Sequence, residues 1–235
     1  MALRKKPIRG AGHLRERITI IRPGNPRYPP ALAVHRGVET LPAFAAIGSL
    51  EILEGNLIGL VCSGRCPGPV ILEMYGLATS ISADRCVVVG GFHSPMERQC
   101  LEIFLARHVP VIVCPARPLE GMRIPVPWQQ PLREDRLLIA SPYLKGNRRT
   151  TKATASHRNR FVAAIAKVLL IPYAQPGGVA EAIGRLAACW GKGLFTLRLE
   201  EQPWMQAVGA RPIAELGEFD RCSGFKRETL VLTPE

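Results

Sequence analysis

Apolar residues along this chain cluster in short runs that recur at intervals of about 25 residues. Six runs have the character of strands, at residues 57–62, 85–90, 110–114, 137–140, 168–173 and 194–199. Segments with helical spacing lie between most of them, at residues 67–80, 95–107, 158–166 and 179–190. The runs are apolar throughout, as expected of strands buried on both faces. The pattern therefore predicts an α/β fold, a Rossmann-like three-layer sandwich with a mainly parallel central sheet.

Proline and glycine mark the parts of the chain outside this alternation. Five prolines lie between positions 23 and 42, and basic residues dominate the first 22 positions, so residues 1–45 are predicted to form a basic, irregular extension. Residues 46–200 form the predicted Rossmann-like domain, and residues 201–235 form a C-terminal tail that packs on it. Five prolines within residues 115–135 predict an irregular loop after the third strand.

The charge of the chain indicates which classes of ligand it binds. It has 31 Lys+Arg against 19 Asp+Glu and a formal net charge of +12, which favours nucleic acid or nucleotide phosphate. No Asp or Glu occurs in residues 136–180, which contain the cations Arg136, Lys145, Arg148, Arg149, Lys152, Arg158, Arg160 and Lys167. No apolar stretch of about 18 residues exists, and the charged residues 1–6 have no apolar run behind them. We therefore expect no membrane association and a cytoplasmic location.

The seven cysteines are an odd number and most lie inside apolar runs, which favours core thiols over a disulfide framework. Cys62 and Cys66 have a spacing that could begin a zinc site, but no second pair of Cys or His follows with ligand spacing, so no metal is expected. The sequence has no GxSxG or HExxH motif, and Cys62 has no His nearby in sequence to activate it. We expect a binding protein without a cofactor rather than an enzyme.

Candidate chemistry lies where predicted strands end and helices begin, because ligands bind beyond the carboxyl ends of parallel strands. At the first junction, Ser63, Gly64 and Arg65 form a turn with a hydroxyl and a guanidinium. This turn is interpreted either as a phosphate cradle or as a tight strand-to-helix turn with a solvated arginine. It matches neither GxGxxG nor GxxxxGK[ST], so the sequence supports neither the dinucleotide fingerprint nor a nucleoside-triphosphate loop.

The second junction begins with Gly90 and Gly91, which would let a ligand or another backbone approach closely. Ser94 is predicted to cap the following helix, with Glu97 completing a capping box. His93 lies in the turn between them, where it would contact a phosphate or a base, or would only bond to the backbone.

At the third junction, Ser156 is predicted to cap a helix whose first turn holds Arg158, Asn159 and Arg160. Cations at that end oppose the helix dipole by a few tenths to about 1 kcal/mol, and a bound anion would reverse the sign. A solvated basic turn would explain the charges but not the gathering of three strong donors at this end of a helix. We therefore expect these three residues to bind phosphate.

In order along the chain, these motifs resemble the DNA-processing protein A family (DprA, also called Smf), which has a Rossmann-like fold. Residues 158–163 nearly match its Arg-Asn-Arg-(Ile/Phe)-(Ile/Val)-Ala run. Weaker similarities lie at Arg27-Tyr28-Pro29 with Leu32, at Ile47-Gly48, at residues 61–65, 88–92 and 109–113, and at the glycine turn Gly177-Gly178. The resemblance covers residues 25–200. The chain departs from the family where Ser94-Pro95-Met96 replaces its Gly-Ile-Asp.

The resemblance implies single-stranded DNA as the partner, homodimerisation through the Rossmann domain, and delivery of DNA to the recombinase RecA during transformation. It does not imply catalysis. The expected binding residues are Ser63, Gly64, Arg65, Gly90, Gly91, His93, Arg158, Asn159, Arg160, Gly177 and Gly178.

Two alternatives stay open from the sequence. The first alternative is a mononucleotide ligand, with a role in nucleotide sensing or nucleotide processing. It arises because the wider superfamily includes the LOG-type, cytokinin-activating phosphoribohydrolases. Their Pro-Gly-Gly-x-Gly-Thr-x-x-Glu motif is incomplete here, because Val179, Ala180 and Glu181 follow Gly178. The second is a structural partner whose basic surface docks an acidic protein.

Overall fold

The computed structural model describes residues 18–34, 43–146 and 149–213. Strands in that part of the chain form one sheet: β1 Thr19–Ile21, β2 Phe44–Ile47, β3 Leu57–Leu60, β4 Val87–Gly90, β5 Val111–Val113, β6 Leu137–Ser141, β7 Val168–Leu170, β8 Gly193–Thr196 and β9 Arg211–Pro212. Their order across the sheet is β1-β2-β6-β5-β4-β3-β7-β8-β9. The strands from β6 to β9 in that order are parallel, whereas β2 runs antiparallel to both of its neighbours.

Helices cover this sheet on both faces: α1 Ala31–Val34, α2 Gly68–Ser80, α3 Pro95–Ala106, α4 Val126–Arg133, α5 Lys152–Ile165, α6 Val179–Cys189 and α7 Pro203–Ala207. Helices α5 and α6 bury Phe161 and Ile183 in the core of one face, and α2 and α3 bury Met74 and Phe104 in the core of the other. The strands between them alternate. In β4, for example, Val87 and Val89 lie in the first core and Val88 lies in the second. This double burial is why the strands are apolar throughout.

The predicted fold class is confirmed, and each predicted strand is present. The predicted helices over residues 67–80, 95–107 and 179–190 correspond to α2, α3 and α6 to within one residue at each end. The capping box of α3 is also confirmed, because the Ser94 hydroxyl accepts from the Glu97 N–H at 3.2 Å and Glu97 accepts from the Ser94 N–H at 3.0 Å.

Two local predictions were wrong. The helix predicted to begin at Arg158 begins six residues earlier, because Thr151 rather than Ser156 caps it and forms a capping box with Thr154. The predicted loop over residues 115–135 contains α4, which begins after Pro125. Proline fits the first turn of a helix, since its missing N–H would be unpaired there.

The N-terminal part of the chain takes part in the sheet. The sequence predicts that residues 1–45 are irregular, yet β1 and β2 pair with each other, and β2 then pairs with β6. Residues 1–17, 35–42, 147–148 and 214–235 lie outside the described part, so Arg148 and Cys222 do too. The division of the chain at residues 45 and 200 stays a prediction.

Candidate functional site

The loops after β3 and β4 are joined by one buried carboxylate, that of Glu97. Its Oε1 accepts from the N–H of Cys62 at 2.9 Å, and its Oε2 accepts from the N–H groups of His93 at 2.9 Å and Ser94 at 3.0 Å. Glu97 therefore links the carboxyl ends of two neighbouring strands to the start of α3. It occupies backbone amides that a bound phosphate would otherwise use at the first and second junctions.

Arg158 lies at the same edge, buried between the ends of β4 and β5. Its Nη1 donates to the carbonyl oxygen of Cys114 at 2.9 Å, and its Nε donates to Oδ1 of Asn159 at 2.7 Å. Burial lowers the pKa of the guanidinium, while the nearby charge of Glu97 favours its protonated form. Arg158 is 5% exposed. Arg158 is thus a buried cation that contacts the ends of both loops, at Gly91 after β4 and at Cys114 after β5.

The position of the Arg158 guanidinium requires a glycine at residue 91. A Cβ at this position would come within 1.8 Å of Nη1 and 2.0 Å of Cζ of Arg158. The group that approaches Gly91 closely is a side chain of the same protein, whereas the sequence predicts a ligand or another backbone there. After Gly91 the chain turns sharply, with Phe92 at φ +46° and buried, so that His93 is exposed.

The three donors of residues 158–160 are not gathered at a helix N-terminus. Arg158 lies in the second turn of α5, so the predicted conflict with the helix dipole does not arise there. Arg158 is buried, Asn159 is half-buried and Arg160 is exposed. Residues two positions apart in a helix point about 200° apart, and so Arg158 and Arg160 face different surroundings.

The first junction combines one buried candidate, Ser63, with two exposed ones, Gly64 and Arg65. Ser63 is buried, its N–H donates to the carbonyl oxygen of Tyr173 at 3.1 Å, and its Oγ accepts from the N–H of Gln175 at 2.8 Å. These bonds close the gap between the ends of β3 and β7. Gly64 and Arg65 are exposed at the tip of the turn, so Arg65 is the residue of this junction that can meet a ligand.

The glycine turn before α6 also donates a backbone hydrogen bond to a carboxylate of the same chain, that of Glu181. Gly177 adopts a left-handed φ of +69°, and its N–H donates to Oε2 of Glu181 at 2.8 Å. That bond, together with Arg185, lowers the pKa of Glu181. Gly178 precedes the helix as its N-cap without a side-chain bond. The structure therefore brings Gly177 and Gly178 to the carboxyl edge, with the Gly177 amide already bonded to Glu181.

The loops at the two edges of the sheet differ in charge. Within the described residues, the loops after β3 to β7 hold one acid, Glu120, and the cations Arg65, Arg117, Arg123, Lys145 and Arg149. The segments that lead into β3 to β7 hold the acids Glu51, Glu54, Asp84, Glu134 and Asp135 beside Arg85, Arg107, Arg136 and Lys167. Arg136 and Lys167 therefore belong to the opposite, mixed-charge edge. The loops of the carboxyl edge therefore carry an excess of positive charge, and the acids Glu97 and Glu181 of the adjoining helices lie at the same edge, bonded to backbone amides.

The loops of this edge are also connected to each other. The Ser141 hydroxyl at the end of β6 donates to the carbonyl oxygen of Arg117 at 2.7 Å, which fixes the loop after β5. Tyr143 then donates to the carbonyl oxygen of Thr154 at 3.0 Å, and its ring lies 5.3 Å from that of His157. Arg117, Tyr143 and Lys145 are site residues that the sequence motifs do not single out. Their position directly after predicted strands is the signal that could have found them.

In the described part of the chain, no cluster of three or more His, Cys, Asp or Glu side chains has the arrangement of a metal site. Over the same residues, none of the helices combines the length and apolar character that a membrane crossing requires.

Comparisons with solved structures identify the fold. The structure of DprA from Streptococcus pneumoniae superposes with a TM-score of 0.72 over 87% of this chain and 74% of that protein, at 15% sequence identity. DprA from Helicobacter pylori, whose structure was described for its mode of binding single-stranded DNA, gives a TM-score of 0.67 over 87% of this chain and 94% of that protein, at 20% identity. No protein-family model and no curated protein matches the sequence. The chain has the fold of the DprA proteins, as the motifs suggested.

Proposed function

We propose that this chain is a DprA-like protein that binds single-stranded DNA at the carboxyl edge of its sheet. The observation that carries the proposal is the difference in charge between the two edges, with five cations against one acid in the described loops after β3 to β7. A single strand carries a line of phosphates. Several cations spread along one edge therefore match a single strand better than they match a compact anion. The shared fold with the DprA proteins, one of which binds single-stranded DNA, supports the same function.

Three exposed cations, Arg65, Arg123 and Lys145, and the half-buried Arg117 make the phosphate contacts in this proposal. Arg65, Arg117, Arg123 and Lys145 form no ion pair with any described residue, so their charges are available to a ligand. Four other arginines of the described chain each pair with a glutamate: Arg27, Arg136, Arg185 and Arg198. Binding through long, solvated side chains predicts an affinity that falls steeply with salt and depends little on base sequence.

Arg158 is a positioning residue in this proposal. It holds the ends of β4 and β5 in place through Cys114 and Gly91, and Asn159 orients its guanidinium. Arg160 and His93 are exposed and contribute charge or a polar contact near the strand. Ser63, Gly64, Gly90, Gly177 and Gly178 shape the loops that carry the contacts.

A mononucleotide is the weaker ligand. The amides of Cys62, His93, Ser94 and Gly177 are bonded to Glu97 and Glu181, which occupy the places where a compact phosphate cradle would form. A role in nucleotide sensing or nucleotide processing is therefore not favoured.

Homodimerisation, delivery of DNA to RecA, and a place in the cytoplasm belong to the same proposal. Their support is the resemblance of the sequence motifs to the DprA family. Analytical ultracentrifugation tests the dimer, and a pull-down with purified RecA, with and without oligonucleotide, tests the partner.

Fluorescence anisotropy of labelled oligo-dT, with unlabelled mononucleotides as competitors, tests the ligand class. We expect oligo-dT to bind and a large excess of dTMP, ATP or AMP to leave the signal unchanged. Displacement of the strand by a stoichiometric mononucleotide would overturn the proposal in favour of a nucleotide site.

A further inference from the structure

Arg22 lies at the carboxyl edge, although it follows β1, which is outside the parallel part of the sheet. Ile21, the last residue of β1, pairs with Phe44 of β2. The next residue of β2, Ala45, pairs with Ser141, the last residue of β6. Because β1 and β6 both run antiparallel to β2, they point in the same direction. The end of β1 is therefore level with the end of β6, and Arg22 follows it directly.

A short hydrogen-bonded turn holds the backbone of Arg22. The N–H of Asn25 donates to the carbonyl oxygen of Arg22 at 3.0 Å. Oδ1 of Asn25 in turn accepts from the N–H of Arg27 at 2.9 Å. Gly24, between them, has a left-handed φ of +91°, which the turn requires. Arg22 itself is exposed, so a fixed backbone carries an accessible cation.

The charge of Arg22 is available to a ligand. Residues 18–34 contain no Asp or Glu, and Arg22 forms no ion pair with any described residue. Arg27, the other cation of this segment, differs because it pairs with Glu51 and Glu54. Arg22 therefore has the same character as the unpaired cations in the loops after β3 to β7.

We propose that Arg22 contacts a phosphate of single-stranded DNA and marks one end of the path of the strand, with Arg65 at the other end. In sheet order, this path runs from β1 across β2, β6, β5 and β4 to β3. Arg117 and Lys145 lie between the two ends, in the loops after β5 and β6. The next strand beyond β3 is β7, and residues 171–178, which follow it, hold no cation. The cationic loops therefore end at Arg65.

The positions of the two arginines determine the length of DNA that one chain contacts. Neighbouring strands are about 4.8 Å apart, so the path from β1 to β3 measures about 24 Å along the edge. Phosphates of one B-form strand rise by about 3.4 Å each, so about eight nucleotides cover this distance, and an extended strand covers it with fewer. The ligand of one chain is therefore a single strand of up to about eight nucleotides.

This inference rests on the proposed function, because it adds a contact to the same DNA. The two can nevertheless fail separately. If the strand ends at the loop after β6, DNA still binds at the carboxyl edge, and Arg22 has no effect on it.

Fluorescence anisotropy of labelled oligo-dT with the full-length protein tests the inference. Affinity should rise steeply with length up to about eight nucleotides and only slowly beyond. For dT16, Arg22→Ala should weaken binding about threefold to fivefold and flatten the slope of log K against log salt by about 0.7. For dT4, which covers only part of the edge and keeps the other cations as contacts, the same substitution should change affinity by less than about twofold.

Two variants serve as controls. Arg22→Lys keeps the charge and should keep both the affinity and the slope for dT16. Arg107→Ala, at an exposed arginine of the opposite edge, should also leave both unchanged. If Arg22→Ala changes neither quantity while Arg65→Ala lowers both, the inference is overturned and the proposed function stands. If oligo-dT of no length binds, both are overturned.

Discussion

The guanidinium of Arg158 lies against the backbone of Gly91, in space that any side chain at residue 91 would fill. The distance from a built Cβ to Nη1 is 1.8 Å, far below a possible contact. Gly91 follows β4 and Arg158 belongs to α5, so this contact fixes how the long crossover between β6 and β7 sits on the edge of the sheet. A motif that resembles a DNA-binding signature is here part of the framework that holds the loops.

Gly91→Ala should therefore displace the Arg158 side chain. We expect it to lower the free energy of unfolding by about 1–3 kcal/mol, as overpacking of a filled interior does. Chemical denaturation measures this directly. Gly76→Ala is the matched control, since Gly76 is in α2 with nothing near its Cβ, and it should stabilise the protein by about 0.5–1 kcal/mol. Equal effects of the two substitutions would show that the contact with Arg158 has no role.

Glu97→Gln should loosen the loops after β3 and β4 together. The substitution replaces one acceptor oxygen by a donor and leaves at least one of the three bonded amides unpaired, at a cost of about 1–3 kcal/mol. Hydrogen exchange should show faster exchange at Cys62, His93 and Ser94. Glu102→Gln, at an exposed position of the same helix, should change stability by less than about 0.5 kcal/mol. Unchanged exchange at those three amides would contradict the linking role of Glu97.

Arg158→Ala and Arg160→Ala should behave differently although the residues belong to one motif. The first removes a buried donor and leaves the carbonyl of Cys114 without it, so we expect a decrease of about 1–3 kcal/mol in stability as well as weaker DNA binding. The second removes an exposed charge, and stability should stay within about 0.5 kcal/mol. Thermal unfolding and anisotropy measured on the same samples separate the two effects. Equal decreases in stability would contradict the different burial of the two side chains.

Lys192 should make stability depend on pH in the alkaline range. It donates to the carbonyl oxygens of Ala164 and Ala166 at the end of α5, and burial lowers its pKa to about 8. Since its ordinary pKa is 10.5, the unfolded chain binds more protons between these values, and the contribution of Lys192 to stability rises as pH increases from about 8. Comparing denaturation curves with those of Lys192→Met isolates this group. A difference between the two proteins that does not vary with pH would contradict the lowered pKa.

Much of the fold could be predicted from the sequence because its signals are local. The apolar runs and the Ser94–Glu97 capping box specify elements within a few residues of themselves, and the structure has them where expected. The start of α5 could not be placed in the same way, because Thr151 and Thr154 cap each other in a segment without apolar spacing. The true cap is equally local, but two threonines are a weaker signal than the basic run that follows them.

The candidate site was harder to predict, because its contacts join distant residues. Which edge each loop occupies could be inferred from strand order, and Arg65 and Gly91 do lie at the carboxyl edge. Tertiary packing decides the rest, and sequence spacing does not specify it. It lets the Glu97 carboxylate accept hydrogen bonds from the backbone N–H groups of two loops, and it buries Arg158 while leaving Arg160 exposed.

The salt dependence of oligo-dT binding tests the carboxyl-edge account most directly. The slope of log K against log salt changes by about 0.7 for each phosphate that the protein neutralises on a single strand. A triple substitution of Arg65, Arg117 and Lys145 to Ala should therefore flatten the slope by about 2 and weaken binding to all sequences alike. The double substitution of Arg107 and Arg133 to Ala, at exposed arginines of the opposite edge, should leave the slope unchanged. The reverse result, a slope flattened by the double substitution and unchanged by the triple one, would contradict the account.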